Sequence, residues 1–545
     1  MSIDTSSTKL SSEIVEKTYS GVLGKIIGVY LGRAVEGWEY ADILKEFGEI
    51  NYYVNKQVKH PLIVPDDDIS GTFIFFRALE DNGFPKNITS ECIGKTWLNY
   101  IVEDKTILWW GGLGRSTEHT AYLRLKRGIS APESGSIALN GKAMAEQIGA
   151  EIFIDTWAMV NPGDPDRAVA MAKSAASVSH DGVAVEAACN LAAMQSAAFF
   201  ESRIDKLIDI GSTFISNNEL KGAINEVRNQ CSKVGDNWRQ VRVWLEKNYP
   251  YSRFPGNCPM IPNHLIIIAS FILGGDDFQK ALKIAVSSGW DTDCNAGNLG
   301  ALNGIRLGLQ NIEKGPDFRG PVADRIYLVG ADGGECITDS VIECRRVLRA
   351  TASLMGKKYI EPKNRFSFEF VGSVQGFQNC PFHEGQQSVT KIENLNRSLS
   401  FNGLGVFFNS LEQGRKGSLS VQTFIEPKPK RESDTSYFEV IASPSLYSTQ
   451  TINALLFGFE EINPSISFYI IYFDKFEKLS RLTGKKRKIK KGKNKITWEI
   501  PDTNGHPIHR LGIELTSKTD ITGLIGLLNL DWKGAPKNLN FGSSR

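Results

Sequence analysis

GWDTDCNAGNLGALNGIRLG, residues 289–308, reads as one helix opened by two acids, Asp291 and Asp293, and punctuated by glycines at 297, 300, 304 and 308. Glycine inside a helix costs roughly 1 kcal/mol relative to alanine, so four together cost about 4 kcal/mol unless something offsets them. Close approach of a second backbone is the usual offset. The spacing of 3, 4 and 4 lines the glycines along one face, and Asp293, four residues before the first, heads the same stripe. A second segment, GVLGKIIGVYLGRAVEG at residues 21–37, repeats the spacing with Gly21, Gly24, Gly28 and Gly32, and four residues further on it carries Glu36. Two glycine-faced helices at the crowded centre of a helical bundle, each delivering an acid to a common site, account for both segments. Ordinary tight packing, with Glu36 at the surface, accounts for the glycines alone.

A third acidic element precedes another apolar helical run: HPLIVPDDDISGTFIFFRALEDNG, residues 60–83, with Asp66, Asp67 and Asp68 in a row. One aspartate suffices to cap a helix N-terminus, and a second complements its dipole. Three in a row repel one another, which weakens capping as a full explanation. Together with Asp291, Asp293 and Glu36 they make as many as six carboxylates for one pocket, and these cannot all stay ionised in a partly desolvated site without bound cations. Oxygen donors without His or Cys clusters point to Mg²⁺, Mn²⁺ or Ca²⁺ rather than zinc, and six carboxylates suit two ions better than one.

The rest of the chain sets the frame. With 545 residues, two or more domains are expected. Lys and Arg number 63 against 61 Asp and Glu, so no global field argues for nucleic acid or a membrane surface, and a small molecule is the expected partner. The N-terminal residues lack a basic head followed by an apolar core, no run approaches a membrane span, and eight cysteines lie scattered without CxxC pairs. These features predict a cytoplasmic protein with reduced thiols.

From Ser11 to about Gly356 the apolar residues recur at helical spacing, and Asp164 with Pro165 makes a well-formed helix start. Beyond that the texture changes to short strands, among them FSFEFVG, SLSFNG, GVFFNS, SLSVQTFI, YFEVIA, SFYIIYF and ITWEI. The expected architecture is multidomain, an all-α bundle over residues 1–358 followed by an antiparallel β-sandwich over 359–545. The basic run TGKKRKIKKGKNK, residues 483–495, reads as a solvated hairpin loop, since no aromatic interleaves its cations.

GVLGKIIGVYLGRAVEG, PDDDISGTFIFFRALEDNG, SVSHDG and GWDTDCNAGNLGALNGIRLG, in this order across residues 15 to 350, resemble the ADP-ribosylglycohydrolase family. The resemblance implies an all-α fold with a binuclear Mg²⁺ or Mn²⁺ centre that cleaves the bond from ribose C1″ to an amino-acid side chain. The family's Thr-Asp-Asp-Thr falls on Asp66, Asp67, Asp68 and Ile69, and its Asp-Thr-Asp-Thr on Asp291, Thr292, Asp293 and Cys294. A hydroxyl ligand thereby becomes a thiol, which Mg²⁺ disfavours; Asp66 supplies charge that rebuilds the shell.

Glu36 matches the glutamate beside the metals. His180 matches a substrate-side histidine, here followed by Asp181. QIGAEIFID, residues 147–155, matches the substrate loop at Gly149, Ala150, Glu151 and Ile152, with Gln147 and Ile148 departing from the family pattern. The implied assignment makes Asp66, Asp67, Asp68, Asp291, Asp293 and Cys294 metal-side residues. Glu36, Asp67 and Asp293 are catalytic in this reading, and Gly149–Ile152, His180 and Asp181 bind substrate.

The implied activity is hydrolysis of an ADP-ribosyl or related ribosyl linkage. Small α-ribosides or nucleoside-like compounds are the alternative substrates, and a non-catalytic binding or structural protein on the same fold is the alternative class. KITWEIPDTNGHPIHRLGIELTS followed by LLNLDWKGAP is similar to the last strands of galactose-binding-like or carbohydrate-binding-module-like sandwiches, which implies a carbohydrate contact by the C-terminal domain.

Overall fold

A computed structural model describes residues 8–106, 111–399, 401–425 and 440–534. Of the expected strand YFEVIA, residues 437–439 fall outside these residues and 440–442 form no strand; Trp109 and Trp110 also lie outside. Helices dominate from Ser12 to Met355, interrupted by one small antiparallel pair, Arg325–Tyr327 with Ile337–Asp339. Asp164 does cap its helix, Oδ1 accepting from the Arg167 amide at 3.1 Å, with Pro165 in the first turn.

The helices Ser12–Gly32 and Thr292–Leu307 pack against each other along their glycines. A Cβ added at Gly24 would stand 2.1 Å from the Gly300 carbonyl oxygen, at Gly28 2.0 Å from that of Ala296, and at Gly32 2.4 Å from that of Thr292. The reverse holds too: a Cβ at Gly300 would meet the Gly24 carbonyl at 2.2 Å and one at Gly304 that of Ser20 at 2.2 Å. These are backbone-to-backbone contacts, which side-chain repacking cannot relieve. Almost every residue of both helices is buried at the crossing.

The stripe reading needs two corrections. Gly308 lies outside the crossing and terminates its helix at φ 72° and ψ 178°, a conformation open to glycine. Glu36 does not ride on the first helix, which ends at Gly32; a single 3₁₀ turn, Arg33–Val35, carries the chain to it.

The C-terminal part is an antiparallel sandwich. One sheet runs in the order Arg487–Lys488, Ser465–Phe473, Ile508–Thr516, Lys416–Gln422, Gln378–Asn379, with Leu479–Thr483 also paired to Ser465–Phe473. The other runs Gly492–Glu499, Thr451–Gly458, Ile521–Lys533, Leu404–Leu411, Val389–Asn394. Inward alternation fills the space between them: Val406, Leu456 and Leu527 from one sheet, Leu419, Ile470 and Ile513 from the other, all buried.

FSFEFVG is not a strand: the Gln375 side-chain carbonyl accepts from both the Ser367 and Phe368 amides at 3.0 Å, supplying what a neighbouring strand would. SLSFNG likewise begins inside a short helix, Leu395–Ser398. The two parts of the molecule meet through a stacked Tyr19–Phe370 pair and through Asp324, whose Oδ2 accepts from the Val374 and Gln375 amides at 2.6 and 2.9 Å.

Candidate metal centre

The crossing of the two glycine helices fixes where the acids stand. Asp291 and Asp293 open the second helix, and the Asp66–Asp68 turn opens a helix at Asp67–Ile74. They meet in a cleft of about 220 Å³ whose walls include Arg33, Glu36, Asp67, Asp68, Glu118, Gly149, Asn257, Cys258, Asp291, Asp293 and Cys294. Oxygen atoms of Asp68 and Asp293 and the Cys294 sulfur all lie within 4.8 Å of one another, as do oxygens of Asp66, Asp67 and Asp68.

Three of these carboxylates carry a buried oxygen without a hydrogen-bond partner, Oδ2 of Asp66, which has Arg33 as its ion-pair partner, Oδ2 of Asp68 and Oδ1 of Asp291. Burial, then mutual repulsion, holds Asp67 and Asp293 well above the usual carboxylate range; for Asp68 burial also leads, with Lys25 opposing it. Acids so placed demand compensating positive charge. Unpartnered oxygens and carboxylate-rich donors fit a divalent cation.

Asp66 behaves differently from its neighbours. Its Oδ1 accepts from the Ile69 amide at 3.3 Å as the helix cap, and its Oδ2 pairs with Arg33 Nε at 3.1 Å. One oxygen is thus hydrogen-bonded and the other ion-paired within the protein, and Asp66 does not line the cleft. Arg33 also binds Glu36, which stands 45% exposed at the mouth. Crowding by protein pushes the Glu36 carboxyl up to about 7, with Arg33 opposing and Asp291 and Asp66 adding to the rise.

Below the acids, Lys25 lies fully buried on the glycine helix, its Nζ 3.0 Å from Asp155 Oδ2 and 3.2 Å from the Ile152 carbonyl. Asn298 donates to both Asp155 oxygens at 3.1 and 3.0 Å.

The residues read as substrate-binding separate into two groups. Gly149 and Ile152 line the cleft. Ala150 and Glu151 do not: both are buried, and Glu151 points the other way, to His264 Nδ1 at 2.6 Å. His180 is fully buried behind the wall, its Nδ1 2.7 Å from Ser179 Oγ and its Nε2 3.5 Å from Glu118 Oε1. Burial depresses its pKa to about 3, so the imidazole is neutral. Asp181 accepts from the Ile137 amide at 3.0 Å, at the start of the distant helix Ile137–Asn140, and also lies off the cleft.

Glu118 is the wall carboxylate that the sequence did not single out. It sits in the first turn of the Thr117–Lys126 helix, accepts from Ser116 Oγ at 3.4 Å, and is raised to about 7 by burial. A Cβ at Gly149 would overlap its carboxylate, so glycine there is what admits Glu118 to the cleft.

The family model for ADP-ribosylglycohydrolase matches residues 10–349. No curated protein matches the chain. Among solved structures, the chain is similar to one titled "ADP-ribosylglycohydrolase-related protein complex", with 16% identity and a TM-score of 0.43 over 63% of this chain and 99% of the other. It is also similar to one described as a promiscuous carbohydrate-binding module of the β-sandwich superfamily, at 16% identity and a TM-score of 0.23, over 33% of this chain and 64% of that one. With the glycine crossing, both acidic turns and the cleft between them inside residues 10–349, the chain belongs to the ADP-ribosylglycohydrolase family.

Proposed function

We propose that the chain is a divalent-metal-dependent glycoside hydrolase acting at C1 of an ADP-ribosyl or related ribosyl substrate. The observation that carries this reading is the convergence of Asp67, Asp68, Asp291 and Asp293 on one cleft, with buried oxygens of Asp68 and Asp291 left without partners. Family membership supports glycosyl-hydrolase-type chemistry in general terms.

Asp67, Asp68, Asp291 and Asp293 would hold the cation, Mg²⁺ or Mn²⁺ by the weight of carboxylate donors. Bound there, it supplies Lewis-acid polarisation and orients vicinal ribose hydroxyls. Glu36, at the mouth, takes the proton of the attacking water as the glycosidic bond breaks through an oxocarbenium-like state. Arg33 keeps Glu36 turned toward the acids. On the facing wall Glu118 offers a carboxyl to a substrate hydroxyl, and neutral His180 braces it from behind.

The narrower alternative, hydrolysis of small α-ribosides or nucleoside-like compounds, is favoured by one specific feature. Gln147 crosses the cleft wall and ties down the segment at 255–258, donating to the Pro255 carbonyl at 3.1 Å and accepting from the Cys258 amide at 2.8 Å. The resulting cleft of about 220 Å³ is small for a ligand site, which disfavours a bulky aglycone. A non-catalytic role leaves the unpartnered buried carboxylates without explanation. For the sandwich, residues 359–545 in our division, we extend the proposal to carbohydrate contact, with the cleft beside Trp498, Lys485, Arg487 and Glu499 as its seat.

The test is turnover of ADP-ribosylated peptide, ADP-ribose and simple ribosides with Mg²⁺ and with Mn²⁺. Asp67→Asn and Asp293→Asn should each lower kcat by at least about 10²-fold and remove cation-dependent thermal stabilisation. Full activity in either variant refutes the site.

A further inference from the structure

Cys294 stands where it changes the chemistry of the donor set. Its Sγ lies 3.3 Å from Asp68 Oδ1, it is buried, and it lines the cleft with Asp68 and Asp293. Atoms around one tetrahedral ion with bonds of 2.0–2.3 Å lie about 3.5 Å apart, and the donor atoms of Asp68, Asp293 and Cys294 all fall within 4.8 Å of each other. The second Asp68 oxygen, on a residue 2% exposed, has no hydrogen-bond partner.

Resting on the reading of this cleft as a metal centre, we propose that it is a mixed thiolate–carboxylate site that prefers a first-row transition cation to Mg²⁺. Thiolate donors select borderline and soft ions, whereas Mg²⁺ takes oxygen almost exclusively. When the metal–sulfur bond forms, the Cys294 S–H bond breaks and its proton leaves to solvent. Cys258 lines the same cleft and its thiol faces Asp291, but among the described residues it joins no group of three donor atoms as close together as those of Asp68, Asp293 and Cys294.

Co²⁺ is the probe, because a cobalt–thiolate bond produces a charge-transfer band in the near ultraviolet that oxygen ligands do not. The metal-free full-length protein is titrated with Co²⁺ alone, and Mg²⁺ then competes for the site. We expect the band at saturation, retained in Cys258→Ser and lost in Cys294→Ser, and Co²⁺ binding at least about tenfold tighter than Mg²⁺. Should Cys294→Ser not fold, the band in the unaltered protein and its retention in Cys258→Ser still decide, since among the described residues Cys258 and Cys294 are the cysteines that line the cleft. Co²⁺ binding without the band, a band lost only in Cys258→Ser, or Mg²⁺ binding as tightly as Co²⁺ overturns the proposal and leaves the metal centre standing. Failure of both ions to bind overturns the metal centre itself.

Discussion

The two cores of this chain are built on opposite principles. In the β-sandwich, side chains occupy the space between sheets: Leu456, Leu527 and Ile513 interdigitate, and each can give a little when a neighbour changes. At the crossing of Ser12–Gly32 with Thr292–Leu307 the contact at Gly24, Gly28, Gly32, Gly300 and Gly304 is made by main chain, each glycine facing a carbonyl, while Gly21 and Gly297 face side chains of the other helix. The first arrangement yields under perturbation; the second does not. The rigid one is also the one that aims Asp291 and Asp293 at the Asp66–Asp68 turn, so positional precision at the site is inherited from the absence of side chains beneath it.

The largest break in this comparison is Gly28→Ala. Helix propensity alone would make alanine better by about 1 kcal/mol. Its methyl, however, would stand 2.0 Å from the Ala296 carbonyl oxygen and 2.8 Å from the Gly297 nitrogen, where only backbone could move. We expect a loss of at least about 4 kcal/mol in urea unfolding, with the cation-dependent stabilisation disappearing as the second helix shifts. A neutral or stabilising result would dissolve the distinction between the cores.

The matching perturbation in the sandwich is Leu527→Ala. Leu527 is 1% exposed and stands between Leu456 and Leu404 in its sheet. Truncation removes buried methyl groups and leaves a cavity, for about 3 kcal/mol by the same measurement. Because this core lies away from the acids, kcat should stay within about twofold of the unaltered protein. A large fall in kcat would show that the two cores are coupled through the Asp324 and Tyr19 seam.

How much of this was legible in the sequence follows from the same contrast. Glycine spacing is a direct record of close backbone approach, so both stripes and their pairing could be read. The acid triplet and the Asp291 turn stood out because each exceeds what a helix cap requires. Glu118 did not, since an acid one turn into a helix after a capping serine is the ordinary pattern at any helix start. Its place in the cleft arises only where Gly149, at the start of the short helix Gly149–Ile152, packs on it. Nor could sequence separate Asp66 from Asp67 and Asp68: Arg33, on the turn after the first glycine helix, engages Asp66 through a contact that folding alone creates. The expected strand at 366–372 failed for a related reason, because alternation records which side chains are buried but not whether a ladder partner exists.

Gly308 continues the 3, 4, 4 spacing and is indistinguishable from its companions by pattern. Yet a Cβ there would meet nothing nearer than Glu16 Oε1 at 3.6 Å. What glycine provides at 308 is backbone freedom at φ 72° and ψ 178°, where the helix ends. Gly308→Ala should therefore cost about 1 to 2 kcal/mol from strain at the cap, leaving metal binding intact. If it costs as much as Gly28→Ala, steric exclusion extends along the whole stripe and the crossing is longer than the contacts indicate. If it costs less than about 0.5 kcal/mol, the helix end relaxes freely, and only the glycines that face a carbonyl set the geometry of the acids.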